Sequence, residues 1–251
     1  MQKMIKRTMT DRLEAVFTLI PKAKTIADIG TDHGYLAVEL VSRGKAEKAI
    51  AGDVNKGPLA SAERHVRETG MAGLVECRLG NGLQIVKPGE LQGAVICGMG
   101  GFLMRDIIEE GPELLDFYVL QPQNGQAELR QYITERGYRI VKECIMTDMG
   151  KMYQAFLAVK KGKEADYMSE EGPITQARVD AKDAYEGLPK ESMLWTVGAL
   201  LAQEKPPLWD EHMKFIMHGR EAALEGMTEA LADTEKYKQL VAELEELRKI
   251  V

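Results

Sequence analysis

Residues 25–36 read TIADIGTDHGYL, and this stretch decides the fold. Thr25 to Ile29 is a short apolar run of strand character that stops at Gly30. Tyr35 to Arg43 reads as a helix through Leu36, Val38 and Leu40. A strand, a glycine-containing turn and a helix together form the repeating unit of an open α/β sheet. Gly30 and Gly34 let the backbone turn tightly and approach a ligand closely. Their spacing is not GxGxxG, so the fingerprint that cradles a dinucleotide pyrophosphate is missing. Asp32 lies inside the loop and would repel a pyrophosphate, whereas it suits a cationic ligand.

The same unit repeats on the carboxyl side. Lys48 to Val54 is a strand carrying Asp53 at its end, followed by a helix from Pro58 to Gly70. Leu74 to Leu79 is a third strand, ending in Gly80-Asn81-Gly82. Ala94 to Cys97 is a fourth, ending in Gly98-Met99-Gly100-Gly101, with a helix over Phe102 to Glu110. Phe117 to Leu120 is a fifth strand, followed by a helix over Gln126 to Arg136. Tyr138 to Thr147 and Met152 to Lys160 are strand-like, and only the turn residues Asp148-Met149-Gly150-Lys151 separate them, so they form a hairpin. Ahead of the first strand, Asp11 reads as an N-cap with Glu14 completing a capping box, and the helix it opens stops at Pro21. Five parallel strands closed by an antiparallel hairpin give a seven-stranded, mostly parallel sheet. A nicotinamide-binding Rossmann sheet does not usually end this way. A class I methyltransferase using S-adenosyl-L-methionine (SAM) does.

Composition agrees with a soluble globular protein. The chain has 251 residues, of which 45% are hydrophobic and 29% charged, enough for a core without staples. Cys77, Cys97 and Cys144 form no CxxC pair. This excludes a disulfide scaffold and a zinc ribbon, and it suits a reducing cytosol. No apolar run approaches the roughly 20 residues that span a bilayer, and the amino end shows no apolar signal core. A cytoplasmic protein without membrane contact or metal site is expected.

The net charge of −6 is unevenly placed: residues 1–160 carry +1 and residues 161–251 carry −7. The composition also changes at Lys163. A polar stretch runs to Lys190, Met193 to Leu201 is apolar and helical, and Pro206-Pro207 ends it. From Leu208 onward there is no proline. Leu240, Leu244, Leu247 and Val251 are spaced as a coiled-coil seam. Its expected partner is the helix starting near Leu208, folded back in antiparallel fashion about Asp233-Thr234, which leaves the chain a monomer. Two domains follow: a Rossmann-like domain over 1–162 and a helical, coiled-coil domain over 163–251.

Ligands of open α/β sheets sit beyond the carboxyl ends of the strands, at the topological switch point. Four strand ends here carry glycine or acid. The first loop offers Asp28, Gly30, Thr31, His33, Gly34 and Tyr35 to a sulfonium and an ammonium. Asp53 can take both hydroxyls of a ribose. Asn81 and Gly82 can meet an adenine edge, and Gly98 lines the place where the methyl group leaves. In chain order these ends suit the parts of SAM.

The chain resembles the TrmK family of bacterial tRNA (adenine22-N1)-methyltransferases. The resemblance is carried by Arg12-Leu13, ADIGTDHGYL from Ala27 to Leu36, Asp53, GNGL from Gly80 and GMGG from Gly98. It continues through Leu120-Gln121-Pro122, Gly150-Lys151-Met152-Tyr153 and Glu204-Lys205-Pro206-Pro207-Leu208. It implies SAM as cofactor, tRNA as substrate, and a Rossmann-type domain followed by a helical coiled-coil domain. The chain departs from the family at Asn81, where Asp is usual, at Cys97, where Ala is usual, and at Gln123, which precedes Asn124.

Adenine N1 carries a lone pair and no proton, so attack on a methyl group needs no general base. The product ring is cationic, and a carboxylate beside it favours its formation. Asp32 is the candidate catalytic residue; the alternative is that it caps the following helix or holds the cofactor. Lys3, Lys6, Arg7, Arg12, Arg105 and Lys151 are candidate phosphate contacts, and Tyr35 and Tyr153 candidate stacking residues. A SAM-dependent methyltransferase with another acceptor, and a non-catalytic SAM- or RNA-binding module, are the competing readings.

Overall fold

The computed structural model describes residues 9–227 and 234–251. Seven strands form one sheet: β1 (Ala23–Ile29), β2 (Ala46–Asp53), β3 (Val75–Leu79), β4 (Gly93–Met99), β5 (Phe117–Pro122), β6 (Tyr138–Asp148) and β7 (Lys151–Lys160). Their order is β3-β2-β1-β4-β5-β7-β6. Strands β1 to β5 pair in parallel, and β7 enters antiparallel between β5 and β6. The chain reverses direction across the sheet between β1 and β4, so the switch-point crevice opens beyond Ile29 and Met99. The hairpin turn is made by Met149 and Gly150, both at positive φ, as a two-residue connection requires.

Helices α1 (Asp11–Leu19), α2 (Tyr35–Ser42), α3 (Lys56–Glu68), α4 (Gly101–Glu109) and α5 (Gln126–Glu135) cover the sheet. Strand alternation sorts the core into two layers. Ala27, Ile96 and Leu120 pack against Met104 and Ile107 of α4 and Leu129 and Ile133 of α5. Ile26, Val95 and Val119 pack against Val16 and Phe17 of α1 and Leu36 and Leu40 of α2. Asp28, two residues on from Ile26, therefore points to the α1–α2 side. The cap of α1 differs from expectation by one residue: Thr10, not Asp11, is the N-cap and accepts from the Leu13 N–H at 3.3 Å. Glu14 is then free of the capping box and pairs with Arg43 at 2.8 Å.

After β7 the chain returns to the sheet. Tyr167 and Ile174 join the α1–α2 layer; Tyr185, Trp195, Ala199 and Leu200 join the α4–α5 layer. Between them lies a short helix, α6 (Gln176–Asp180). The apolar run Met193–Leu201 is two helices, α7 (Leu194–Val197) and α8 (Ala199–Glu204), because Gly198 breaks it at φ +96°. The break has a cause. A side chain at 198 would meet the Glu143 carboxylate at 3.0 Å.

Glu143 is the centre of a fully buried network. Its carboxylate pairs with Arg130 of α5 at 2.8 Å, both side chains being 0% exposed. It also accepts from the Tyr185 hydroxyl at 2.9 Å and the Leu200 N–H at 3.0 Å. Arg130 donates further to Gln154 at 2.6 Å and to the Trp195 carbonyl at 2.9 Å. One ion pair thus ties α5, β6, β7 and the α7–α8 segment together.

The chain ends in α9 (Trp209–Glu225) and α10 (Glu235–Ile250). Arg220 meets Glu243 at 3.2 Å, and Ile216 shares a cluster with Leu244 and Leu247, the order an antiparallel pair gives. Met193, Val197 and Leu201 belong to the same cluster, so the seam packs on three helices and not on α9 alone. Leu244 and Leu247 face inward, Leu240 is only half-buried and outside the cluster, and Val251 is exposed while Ile250 takes its place. Of the expected turn, Asp233 lies outside the described residues and Thr234 is the N-cap of α10.

His212 of α9 is buried, and its Nε2 lies 3.1 Å from the Val197 carbonyl. Burial pushes its pKa down from 6.5 to about 4. Neutral in the fold and charged in the unfolded chain below pH 6.5, it stabilises fully above that pH and loses the contribution as pH falls toward 4. Urea unfolding across pH 7.5 to 4.5 should show stability falling by about 2–3 kcal/mol from this group. A His212→Gln variant should show a shallower fall, and an equal slope would contradict the assignment.

Among the described residues no helix is long and apolar enough to cross a membrane. No group of His, Cys, Asp and Glu among them can hold a metal ion.

Candidate active site

The loop after β1 forms the floor of the crevice. The Gly30 and Thr31 N–H groups both donate to the Gly52 carbonyl, at 2.8 and 3.0 Å, which locks the loop onto β2. The Thr31 hydroxyl accepts from the Gly34 N–H at 3.1 Å. Gly34 caps α2 at φ +66°, and a Cβ there would lie 3.3 Å from the Ala62 backbone of α3. Glycine is needed at this position both for the left-handed backbone and for the approach of two helices.

Asp28 sits beneath this loop, 7% exposed. Burial raises its pKa from 3.8 to about 6, against the hydrogen bond from Thr31 and with a smaller push from Asp53. Among the described residues no cation pairs with this buried acid, and a positively charged ligand would relieve it. Asp32 differs: it is 75% exposed and lies 3.3 Å from His33. The His33 ring leans on Tyr35 at 5.3 Å, and Tyr35 meets His65 edge-on at 4.8 Å. Asp28, Gly30, Thr31, Asp32, His33 and Tyr35 all line one cavity of about 220 Å³.

Asp53, Asn81, Gly82 and Gly98 do not line this cavity, and Asn81 lines a separate one with Arg78 and Gln84. Asp53 holds the following turn by accepting from the Asn55 N–H at 2.6 Å. Asn81 is exposed and donates its side-chain amide to Glu110 at 3.1 Å. Gly82 begins a 3₁₀ turn over Gly82–Ile85. Gly98 stands at φ +75° where the pairing of β4 with β5 shifts register between Cys97 and Met99. This bulge bends the end of β4 locally. Cys97 lines the same cavity as Asp28, and burial pushes its thiol well up. It is a packing residue and no thiolate nucleophile.

Arg12 is more central than its sequence position suggested. From α1 it donates to the Gln121 side chain at the end of β5. It also lies 3.7 Å from Asp148 of the hairpin and 5.6 Å over the Tyr153 ring. Gly98 passes 3.6 Å from its guanidinium, measured from where a Cβ would stand. In the sequence Gln121 stands out only within Leu120-Gln121-Pro122 and Asp148 only as a turn residue, because the folded hairpin alone brings β6 against α1. Of the other candidate cations, Arg105 is paired with Asp106 at 2.8 Å. Lys151 is exposed at the hairpin. Lys3, Lys6 and Arg7 lie outside the described residues.

The donor set fits a SAM molecule: a buried acid needing a cation, an acid at the end of β2, and a glycine bulge at the end of β4. The sheet order and this crevice define a class I methyltransferase, and residues 9–156 match a family described as a methyltransferase domain. The tRNA (adenine(22)-N(1))-methyltransferase of Bacillus subtilis is 31% identical over 94% of this chain and 92% of its own length. The crystal structure of the B. subtilis m1A22 tRNA methyltransferase TrmK superposes with a TM-score of 0.78 at 29% identity, covering 98% of this chain and 99% of that one. A Streptococcus pneumoniae relative, Sp1610, solved in complex with SAM, gives 0.76 at 28% identity over 96% of this chain and 99% of its own. The chain belongs to the TrmK family.

Proposed function

We propose that this protein transfers the methyl group of SAM to N1 of adenine 22 in tRNA, giving N1-methyladenosine. The observation that carries this is a likeness to the B. subtilis enzyme over nearly the whole chain, helices α9 and α10 included. SAM, when bound, supplies an activated methyl group on a sulfonium. The chain must align that group with N1 at roughly 3–3.5 Å and favour the positive charge that develops on the base.

In this reading Asp28 faces the cationic end of the cofactor, with Gly30, Thr31, His33, Gly34 and Tyr35 shaping the loop around it. Asp53 takes the ribose hydroxyls, Asn81 and Gly82 the adenine, and Gly98 leaves room beside the methyl group. Asp32 stabilises the methylated ring. Being exposed, its carboxylate acts at full strength only once RNA covers it and displaces water. Arg12 places a cation nearby, but Asp148 offsets its charge. N1 lies on the Watson–Crick edge, so the adenine must leave its stack before it reacts. Residues 1–162 carry the cofactor loops, and residues 163–251 present a helical surface to the RNA. The protein acts as a monomer in the cytoplasm, where its substrate is.

Asp53→Ala should weaken SAM binding by roughly tenfold or more by calorimetric titration, the loss of a charged hydrogen bond being about 1.5–3 kcal/mol. Asp32→Ala should lower turnover on tRNA by about 10²-fold, comparable to loss of one electrostatic stabiliser, with SAM affinity nearly unchanged. Equal losses of turnover and affinity with Asp32→Ala would make it a cofactor residue and end its catalytic assignment.

A further inference from the structure

A second cavity, of about 570 Å³, lies between the β6–β7 hairpin and α9. It is larger than the crevice cavity and has a different character. Phe215 of α9 and Tyr153 of β7 give it two aromatic walls, and Pro122 and Met152 add apolar surface. Gln123 and Gln126 offer amide donors and acceptors, and Lys151 stands at its edge. Phe215 is 63% exposed. The buried face of α9 is Trp209, His212, Met213 and Ile216, so Phe215 contributes nothing to the helical core. An aromatic ring held out from a core into a polar-edged cavity is an anchor for a ligand that stacks.

The cavity is joined to the catalytic crevice through Arg12. That side chain lines the crevice cavity, hydrogen-bonds Gln121 and lies over the Tyr153 ring. The two spaces are therefore neighbours along one wall, at the carboxyl ends of β4 and β5. Two π-faces, amides able to read a base edge and a lysine for phosphate match one ligand chemistry: an unstacked nucleotide of single-stranded RNA.

We propose that this cavity takes an unstacked base of the RNA substrate and that Phe215 is the residue on which that base stacks. The proposal deepens the tRNA reading and rests on it. It makes the C-terminal helices a part of the substrate site, contributing a side chain beside the methyl-transfer crevice.

The test uses the full chain with Phe215→Ala and Phe215→Trp. Three quantities are measured for each: binding of unmodified tRNA by filter retention, KM and kcat for methyl transfer, and SAM affinity by calorimetry. Phe215→Ala should raise the tRNA dissociation constant and KM by about tenfold, as loss of one stacked base does. SAM affinity should stay within twofold, and Phe215→Trp should restore tRNA binding. Because Phe215 is exposed, the alanine variant should keep the wild-type melting temperature. If wild-type protein methylates tRNA and Phe215→Ala does so with unchanged KM, the stacking role is overturned and the methyltransferase reading stands. If wild-type protein binds tRNA through Phe215 without methylating it, the pocket stands and that reading fails. If wild-type protein neither binds nor methylates tRNA, both fail.

Discussion

Arg130→Met is expected to destabilise the protein by about 3–5 kcal/mol, the cost of stripping the cation from a buried carboxylate. Glu143 would keep the Tyr185 hydroxyl and the Leu200 N–H as partners but would hold an uncompensated charge at 0% exposure. The Trp195 carbonyl and the Gln154 side-chain oxygen would lose their donor as well. The double variant Arg130→Met, Glu143→Gln should recover much of the loss, because it removes the buried charge together with its partner. Urea unfolding of both variants measures this. The size of the effect has a structural consequence: the α7–α8 segment is held to α5 and the hairpin by this pair, so loosening it loosens the base on which α9 and α10 stand. A loss below about 1 kcal/mol for Arg130→Met would mean that apolar packing of Tyr185 and Trp195 alone secures the segment.

Asp28→Asn should change stability and cofactor affinity in opposite directions. In the fold Asp28 has a pKa of about 6 against 3.8 ordinarily. Between those values the folded chain keeps a proton that the unfolded chain releases, so stability falls as pH rises from about 4 to 6 and stays low above. The shift corresponds to about 3 kcal/mol. Without SAM, Asp28→Asn should therefore be more stable than wild type at pH 8 by up to that amount, with the difference fading toward pH 4. A sulfonium or ammonium near Asp28 favours its ionised form. Wild-type SAM affinity should consequently rise as pH climbs through about 6, and Asp28→Asn should bind about 10- to 100-fold more weakly at pH 8, a loss of roughly 1.5–3 kcal/mol. Thermal melts and calorimetric titrations at pH 5 and pH 8 test both parts. A variant that binds SAM as well as wild type at pH 8 would remove Asp28 from the cofactor site.

The sheet and its glycine-and-acid strand ends were legible in the sequence because each feature is local. A strand that stops at Gly30, or at Asp53, carries its candidate site residues within one or two residues of its end. The hairpin was legible for the same reason, its turn needing Met149 and Gly150 at positive φ. What the sequence concealed is long-range. Arg130 and Glu143 are thirteen residues apart, yet their partners Tyr185, Trp195 and Leu200 come from a polar stretch and a short apolar run with no periodicity to betray them. Gly198 breaks a run that composition alone reads as one helix, and the reason is a carboxylate on another strand. Phe215 looks like one more apolar residue of an amphipathic helix. Only the packing of α9 shows that Trp209, Met213 and Ile216 fill the core and leave Phe215 facing the hairpin. The strand end marks Asn81 as a candidate for an adenine edge, and in the structure Glu110 holds its amide.

The reaction itself is tested most directly by methyl transfer from labelled SAM to unmodified bulk tRNA, followed by nucleoside analysis and mapping of the labelled position. Wild-type protein should place label in N1-methyladenosine, at position 22. SAM binding with no label in tRNA, or label in a different nucleoside, would contradict that reaction.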